Sequence, residues 1–279
     1  MLNVIVTFNL KILTFNLKSM KPSKHFEDLV EIIKILRKEC PWDRKQTHQS
    51  IKDNLIEEAY EAVHAIDQQD DNELKKELGD LLLHVIFHSR MATETNSFTI
   101  NDVIYAIQEK LIRRHPHVFG KNKVEVKNEK EVAKNWESIK MNEGRESVLE
   151  GLPPHLPALI RAQRMQEKAG NAGFDWKKSE TGKQQLWDKL QEELDEFKIA
   201  YHNEDSQRAA EEFGDFLFSI VNAARFLNVQ AEDALRMSNK KFKARFQYIE
   251  EQVSQSDREI SDVSIDEMEE YWQQAKGKV

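Results

Sequence analysis

The sequence carries one pattern of acidic and apolar residues twice. LIEEAYEAV at 55–63 is followed by KKELGDLLLHVIFHSR at 75–90, and LQEELDEFKIA at 190–200 is followed by AEEFGDFLFSIVNAAR at 210–225. Self-similarity at a fixed spacing indicates an internal duplication. Four acidic positions recur 135 residues apart, pairing Glu58, Glu61, Glu77 and Asp80 with Glu193, Glu196, Glu212 and Asp215.

Both copies have the periodicity of amphipathic helices. In each copy, apolar residues fall on one helical stripe: Leu74, Leu78, Leu81, Leu82 and Val85 in the first, and Phe213, Phe216, Leu217 and Ile220 in the second. The 279 residues include only 9 Gly and 6 Pro, which also favours helix. We therefore predict an all-α chain of two tandem helical domains, with four to five helices in each.

A proline-containing segment separates the two copies. SVLEGLPPHLPALIRA holds three of the prolines, and a Pro-Pro pair interrupts helices. We predict an N-terminal domain at residues 20–144, a linker at 145–157 and a C-terminal domain at 158–279. Residues 1–19 lack the features of a signal peptide and are too polar to span a bilayer. We interpret them as an extension that is disordered or precedes a natural start at Met20.

The net charge and the cysteine content narrow the expected binding partners and the expected cellular compartment. The net charge of −8 disfavours binding to nucleic acid and to anionic membrane surfaces. The single cysteine, Cys40, excludes an internal disulfide and is typical of a reducing compartment. We predict a cytoplasmic protein with neither nucleic acid nor a membrane as its partner.

The repeated carboxylates predict a metal site. Glutamates three residues apart on a helix share one face, and two adjacent helices bring four carboxylates together. Such a cluster repels itself unless a cation neutralises it, and its oxygen ligands suit Mg²⁺, Mn²⁺ or Ca²⁺ rather than Zn²⁺. One ExxE motif alone is most often a solvated helix face, but its recurrence with ExxD in both copies favours metal binding. A metal held there can clamp a polyphosphate and activate water, with a further carboxylate as general base.

Basic residues near the second copy are candidates for phosphate contacts. Lys189 lies one helical turn before Glu193, and Lys241 and Arg245 share a helix face in NKKFKARF. A solvated basic helix face is the alternative. Trp272 and Lys276 can stack on a base and reach a phosphate, or Trp272 can be a core residue of the last helix.

Seven segments together resemble the MazG family of nucleoside triphosphate pyrophosphohydrolases. They are CPWDRKQTHQS, LIEEAYEAVHAI, ELGDLLLHVIFHSR, EKLIRRHPHVFG, NWESIK, GFDW and NKKFKARF, and the similarity extends in order from about Met20 to Lys276. The resemblance implies two MazG-type domains in a helical-bundle homodimer. It also implies hydrolysis of ribo- and deoxyribonucleoside triphosphates to monophosphate and pyrophosphate, by attack of water at the α-phosphorus. The implied cofactor is Mg²⁺, with Mn²⁺ as a substitute.

The resemblance also assigns roles to individual residues. In the family, the C-terminal copy carries the better established site. Its metal ligands match Glu193, Glu196, Glu212 and Asp215, and its nucleotide contacts match Lys189, Lys241, Arg245, Trp272 and Lys276. Glu192 and Glu193 become the candidate catalytic residues, with Glu192 serving either water activation or metal binding. The first copy retains Glu58, Glu61, Glu77 and Asp80 as candidate ligands, but RRHPHVFG stands where the second copy has KARF.

Two other functions compete with this hypothesis. One is a narrower nucleotidase of similar fold, such as a dUTP or phosphoribosyl-ATP hydrolase. The other is a non-catalytic helical dimer that binds nucleotide or a protein partner. A panel of substrates separates the narrower nucleotidase from the general pyrophosphohydrolase. The non-catalytic dimer would bind nucleotide without releasing pyrophosphate.

Overall fold

The computed structural model describes residues 21–120, 126, 128–144, 146–256 and 258–278. These residues form eleven α-helices and two short 3₁₀ helices, and no strand occurs among them. The prediction of an all-α chain is therefore confirmed. The predicted extension at residues 1–19 lies outside the described residues. No described helix has both the length and the apolarity that crossing a membrane requires.

The helices belong to two compact units that divide between Lys123 and Val124. The first unit contains helices α1 to α5: Phe26–Glu39, Lys52–Gln68, Asp71–Glu94, Ile100–Arg114 and Pro116–Phe119. The second contains α6 to α11: Glu129–Asn142, Ala158–Asn171, Glu180–His202, Ser206–Phe226, Ala231–Ser254 and Ile265–Ala275. Because α6 contacts α7, the division falls upstream of the proline-containing segment. The domain boundaries at 145–157 stay a prediction.

Each unit is organised around a helical hairpin with the same turn. In the first unit, Gln69 adopts a left-handed φ of 56° between α2 and α3, and the Asp70 side chain accepts hydrogen bonds at the start of α3. In the second unit, Glu204 has a φ of 57° between α8 and α9, and Asp205 caps α9. An aspartate at this position satisfies main-chain N–H groups that a helix start leaves free. The repeated turn fixes how the helices of each pair face one another.

Small apolar clusters hold the helices of each unit together. In the first unit, α1 and α3 are joined by a buried cluster of Ile33, Ile51, Ile86, Phe87 and Met91. The second unit has two clusters, one of Leu186, Ala223 and Phe226 and the other of Ile249, Val253 and Val263. Since burial of apolar area drives folding, the first two clusters hold the hairpins in place, and the third joins α10 to α11.

A buried glutamine anchors α10 to α7. The Gln163 Oε1 accepts a hydrogen bond of 3.0 Å from the main-chain N–H of Ala231, at the first turn of α10. Its Nε2 donates to Gln230 Oε1 at 2.7 Å. Gln163 therefore acts as a helix cap supplied by another helix, which connects α7 to the start of the helix that carries Lys241 and Arg245.

We predict that Gln163→Met lowers the free energy of unfolding by about 1–3 kcal/mol, because it leaves the buried Ala231 N–H without an acceptor. Urea denaturation of the full chain measures the change. Gln191→Met is the matched control, since Gln191 makes an exposed bond to Asp195. Equal stability of the two variants would contradict the capping role.

Candidate metal centre

The first hairpin brings together carboxylates from both of its helices. Glu58 on α2 and Glu77 and Asp80 on α3 each offer an oxygen that lies within 4.8 Å of the others. Glu61, the fourth predicted ligand, is outside this group of three but acts electrostatically on Glu77. The structure thus places the four predicted residues of the first copy in one neighbourhood.

Glu77 is the buried carboxyl of this neighbourhood. Its residue surface is only 6% exposed. Burial, followed by the charge of Glu61 and a hydrogen bond with Glu73, raises the pKa of Glu77 to about 7. All these causes disfavour the ionised form, which a bound cation would favour instead.

The second hairpin forms the equivalent cluster. Glu193 and Glu196 on α8 and Glu212 on α9 offer oxygens that lie within 4.8 Å of one another. Glu193 is buried, with 7% of its surface exposed. Asp215, the fourth predicted ligand, lines a cavity of about 150 Å³ together with Glu193 and Lys189. The predicted ligands of the second copy therefore lie at the cluster or in the cavity beside it.

Cationic side chains of the second unit contact this cluster. Lys189 Nζ lies 2.8 Å from Glu193 Oε1 and 2.8 Å from Glu192 Oε1, and these bonds raise the pKa of Lys189 above its usual range. Arg208 Nε lies 3.4 Å from Glu212 Oε1. Glu192, the second candidate catalytic residue, is thus placed beside Lys189.

The other predicted nucleotide contacts form a separate group on α10 and α11. The Arg245 guanidinium lies over the Trp272 ring at 5.4 Å, and Trp272 packs against the cluster of Ile249, Val253 and Val263. Lys276 Nζ donates to Gln273 at 3.0 Å. In the described part of the chain, no hydrogen bond, ion pair or ring contact joins Lys241, Arg245, Trp272 or Lys276 to the carboxylates. Trp272 is therefore both a partly buried packing residue and a partner of Arg245.

The residue pattern assigned no role to Asp175 and Arg225, which form an ion pair in the second unit. Arg225 makes two hydrogen bonds to Asp175, of 2.8 and 2.6 Å, at the end of a turn that passes through Gly173 with a φ of +103°. A Cβ at Gly170 would lie 3.1 Å from the Asp175 carboxylate, so glycine leaves room for this pair. In the sequence, the GFDW segment and the recurrence of Arg90 as Arg225 are the signals that mark these two positions.

The donor set fits a hard divalent cation. Both clusters consist of carboxylates alone, and each includes one buried glutamate, Glu77 or Glu193. Carboxylate oxygens suit Mg²⁺ or Mn²⁺, and Mg²⁺ commonly combines a few carboxylates with the phosphates of a substrate.

The family model of the MazG nucleotide pyrophosphohydrolase domain matches residues 46–119 and 181–249, which include both hairpins. The chain is also 47% identical over 257 residues to a nucleoside triphosphate pyrophosphohydrolase/pyrophosphatase MazG of Thermotoga maritima, covering 90% of this chain and 96% of that protein. The chain belongs to the MazG family. The family prediction is thereby confirmed, and both MazG segments contain a carboxylate cluster.

Two further MazG relatives extend the comparison. A nucleoside triphosphate pyrophosphohydrolase of Escherichia coli is 43% identical over 243 residues, covering 85% of this chain and 90% of that protein. The crystal structure of a MazG-related protein from Thermotoga maritima is 27% identical and covers 41% of this chain and 98% of its own, with a TM-score of 0.36.

We predict that the metal-free protein loses stability as the pH rises through about 7, because the pKa of Glu77 is raised on folding. A carboxyl whose pKa is raised on folding stabilises the protein fully at a pH below its pKa in the unfolded state. This contribution is lost as the pH rises and the carboxyl ionises in the folded protein. Melting temperatures in EDTA between pH 5 and 8.5 measure the effect.

Glu77→Gln should remove most of this pH dependence, whereas Glu109→Gln should preserve it, since Glu109 is an exposed partner of Arg113. An unchanged pH profile in Glu77→Gln would show that Glu77 does not titrate near neutrality.

Proposed function

We propose that the chain hydrolyses nucleoside triphosphates to nucleoside monophosphate and pyrophosphate, by attack of water at the α-phosphorus, with Mg²⁺ held by its carboxylates. The carboxylate cluster of Glu193, Glu196 and Glu212, with Lys189 and Asp215 beside it, is the observation that carries the proposal. Membership of the MazG family supports it, as do relatives named nucleoside triphosphate pyrophosphohydrolase.

In the proposed site, the acidic and the basic side chains have different roles. Glu193, Glu196 and Glu212 would hold the Mg²⁺, which would supply neutralisation of phosphate charge and favour ionisation of water. The Lys189 ammonium lies at the same carboxylates and is placed to donate hydrogen bonds to a phosphate oxygen. Glu192 is exposed and forms an ion pair with Lys189. Its carboxylate is the candidate general base that accepts a proton from the attacking water.

The second copy is the better candidate for the catalytic centre. At the positions of Lys189 and Arg208, the first copy has Asn54 and Glu73. The first cluster therefore lacks counterparts of the two cations that contact the second one, and Glu73, which pairs with Lys76, disfavours ionisation of Glu77. We infer that the first cluster binds a cation but turns over triphosphates more slowly than the second.

We also propose that two copies of the chain form a homodimer. The repeated apolar stripes remain exposed on each unit, with Leu78, Leu82 and Val85 between 39% and 53% exposed and Phe213, Leu217 and Ile220 between 41% and 45%. Apolar stripes of this kind mark interaction surfaces. Gly79 and Gly214 adjoin them, and among the described residues a Cβ added at either glycine would meet no atom within 4 Å beyond its chain neighbours and the nearby backbone of its own helix. A partner helix could therefore approach closely at these positions.

We predict that Glu193→Gln and Asp215→Asn each reduce pyrophosphate release on the order of 100-fold or more, because stabilisation by a bound metal is worth several kcal/mol. Asp195→Asn is the matched control on α8, since Asp195 is exposed and bonds to Gln191 and Lys198. Initial rates with Mg²⁺ measure the loss. Full activity in both site variants would contradict the assignment of the catalytic centre.

The products of the wild-type reaction test the reaction itself. Purified protein is incubated with each nucleoside triphosphate and Mg²⁺, and the products are separated by ion exchange. Monophosphate with pyrophosphate, abolished by EDTA, is expected. Diphosphate with orthophosphate would place the attack at the γ-phosphorus, and the absence of any product would favour a non-catalytic nucleotide binder.

We predict that Leu217→Arg converts the dimer to monomers, because it places a charge in the exposed stripe of α9. Light scattering coupled to gel filtration measures the mass. Ile265→Arg is the control, since Ile265 is 77% exposed and belongs to α11. A wild-type monomer, or a Leu217→Arg dimer of unchanged affinity, would contradict the proposed interface.

A further inference from the structure

An arginine near the end of α9 connects two walls of the cavity beside the second carboxylate cluster. This cavity of about 150 Å³, here called the Lys189 cavity, is lined by Lys189, Trp176 and Asn222, among other residues. Arg225 lies outside the lining, yet it bonds to Asn222 and to Asp175, the residue before Trp176. One guanidinium therefore contacts a residue of one wall and the neighbour of a residue in the other.

The Arg225 guanidinium is held in one orientation by its hydrogen bonds. Nη1 and Nη2 donate to the two carboxylate oxygens of Asp175 at 2.8 and 2.6 Å. Nε and Nη2 donate to Asn222 Oδ1 at 3.1 and 2.8 Å. A planar guanidinium that bonds a carboxylate at two points fixes the direction as well as the length of the pair. The Arg225 side chain is only 14% exposed, so salt screens the pair weakly.

These bonds also set the positions of the two wall residues. Because Arg225 donates to Asn222 Oδ1, the amide of Asn222 is fixed with its oxygen toward Arg225. Arg225, with a smaller contribution from the main-chain N–H of Trp176, holds the pKa of the Asp175 carboxyl below its usual range. Trp176 packs against the buried cluster that contains Leu186. The turn after α7 is thereby fastened to α8 and α9 beside the Lys189 cavity.

The first copy uses its equivalent arginine differently. Arg90, at the position of Arg225, pairs with Glu94 on its own helix at 3.3 Å. The position equivalent to Asn222 is Phe87, which is buried in an apolar cluster. Among the described residues, an arginine that joins the preceding turn to the hairpin and also orients an amide beside the carboxylates therefore occurs in the second copy. This is the copy that has Lys189.

We propose that Arg225 and Asp175 are positioning residues for the hydrolysis, because their ion pair keeps Trp176 and Asn222 in the arrangement that shapes the Lys189 cavity. The inference rests on the proposed function, since this cavity contains groups assigned to metal and phosphate binding. In the described part of the chain, neither member of the pair bonds to the carboxylates of the second cluster. The pair therefore acts on the reaction through the wall of the cavity.

Arg225→Lys tests the pair, because lysine keeps the positive charge but lacks the planar guanidinium that joins Asp175 to Asn222. With a loosened wall, the triphosphate still binds, but the attacking water is aligned with the α-phosphorus less often. We therefore expect kcat for pyrophosphate release to fall about 10- to 100-fold, while KM changes by less than about threefold. Initial rates with ATP and Mg²⁺ measure both constants. Mn²⁺ binding should equal that of the wild type, because the metal ligands are intact.

Arg258→Lys is the matched control, since Arg258 makes the same two-point pair with Glu267 and lies outside the Lys189 cavity. It should keep the wild-type kcat when all proteins are assayed well below their melting temperatures. Adding Asp175→Asn to Arg225→Lys should lower kcat no further, because the two residues act as one unit. A wild-type kcat in Arg225→Lys, or an equal loss in Arg258→Lys, would overturn the proposal.

Hydrogen–deuterium exchange distinguishes a positioning role from a structural one. Main-chain amides of residues 173–178 should exchange faster in Arg225→Lys than in the wild type, whereas those of α11 should not change. Faster exchange with an unchanged kcat would show a structural role alone and would overturn the proposal.

The same assays separate this inference from the proposed function. Pyrophosphate release by the wild type, with the same kcat in Arg225→Lys, would support the hydrolase and contradict the positioning role alone. The absence of pyrophosphate release from the wild type would contradict the hydrolase itself, and the positioning role with it.

Discussion

The convergence of carboxylates across each helical hairpin is the constraint on which the rest of the structure depends. A left-handed residue and an aspartate cap, Gln69 with Asp70 or Glu204 with Asp205, set the turn that brings the two helices face to face. The hairpin then places glutamates from both helices within 4.8 Å of one another. Burial, followed by the neighbouring charges of Glu61 and Glu73, raises the pKa of Glu77, so the ionised form of this carboxyl is disfavoured. A cation bound between the two helices of a hairpin would offset this cost.

The two carboxylate clusters differ in the side chains that surround them. In the second unit, Lys189 and Arg208 contact the carboxylates, whereas the first copy has Asn54 and Glu73 at those positions. The second cluster also adjoins a cavity lined by Trp176 and Asn222, and the first copy has the buried Phe87 at the position of Asn222. The acidic positions thus recur in both copies while their surroundings differ, and this difference is the reason for proposing that catalysis takes place in the second copy.

The helical class and the neighbourhood of the carboxylates could be predicted from the sequence, because the spacing of Glu58 and Glu77 expresses local helix geometry. Periodicity alone could not show what covers an apolar stripe, and Leu82 and Leu217 are exposed on their own units. The ion pair of Arg225 with Asp175 joins residues 50 positions apart, and no local pattern encodes it. For Trp272, the sequence left two roles open, and the structure combines packing with stacking on Arg245.

The most direct test of this account is a titration of the full chain with Mn²⁺, in which electron paramagnetic resonance reports the free ion. The account predicts that the wild type binds Mn²⁺ and that a variant with Glu58, Glu77, Glu193 and Glu212 all changed to Gln does not. The same free Mn²⁺ signal from both proteins would contradict the claim that the paired carboxylates exist to hold a divalent cation.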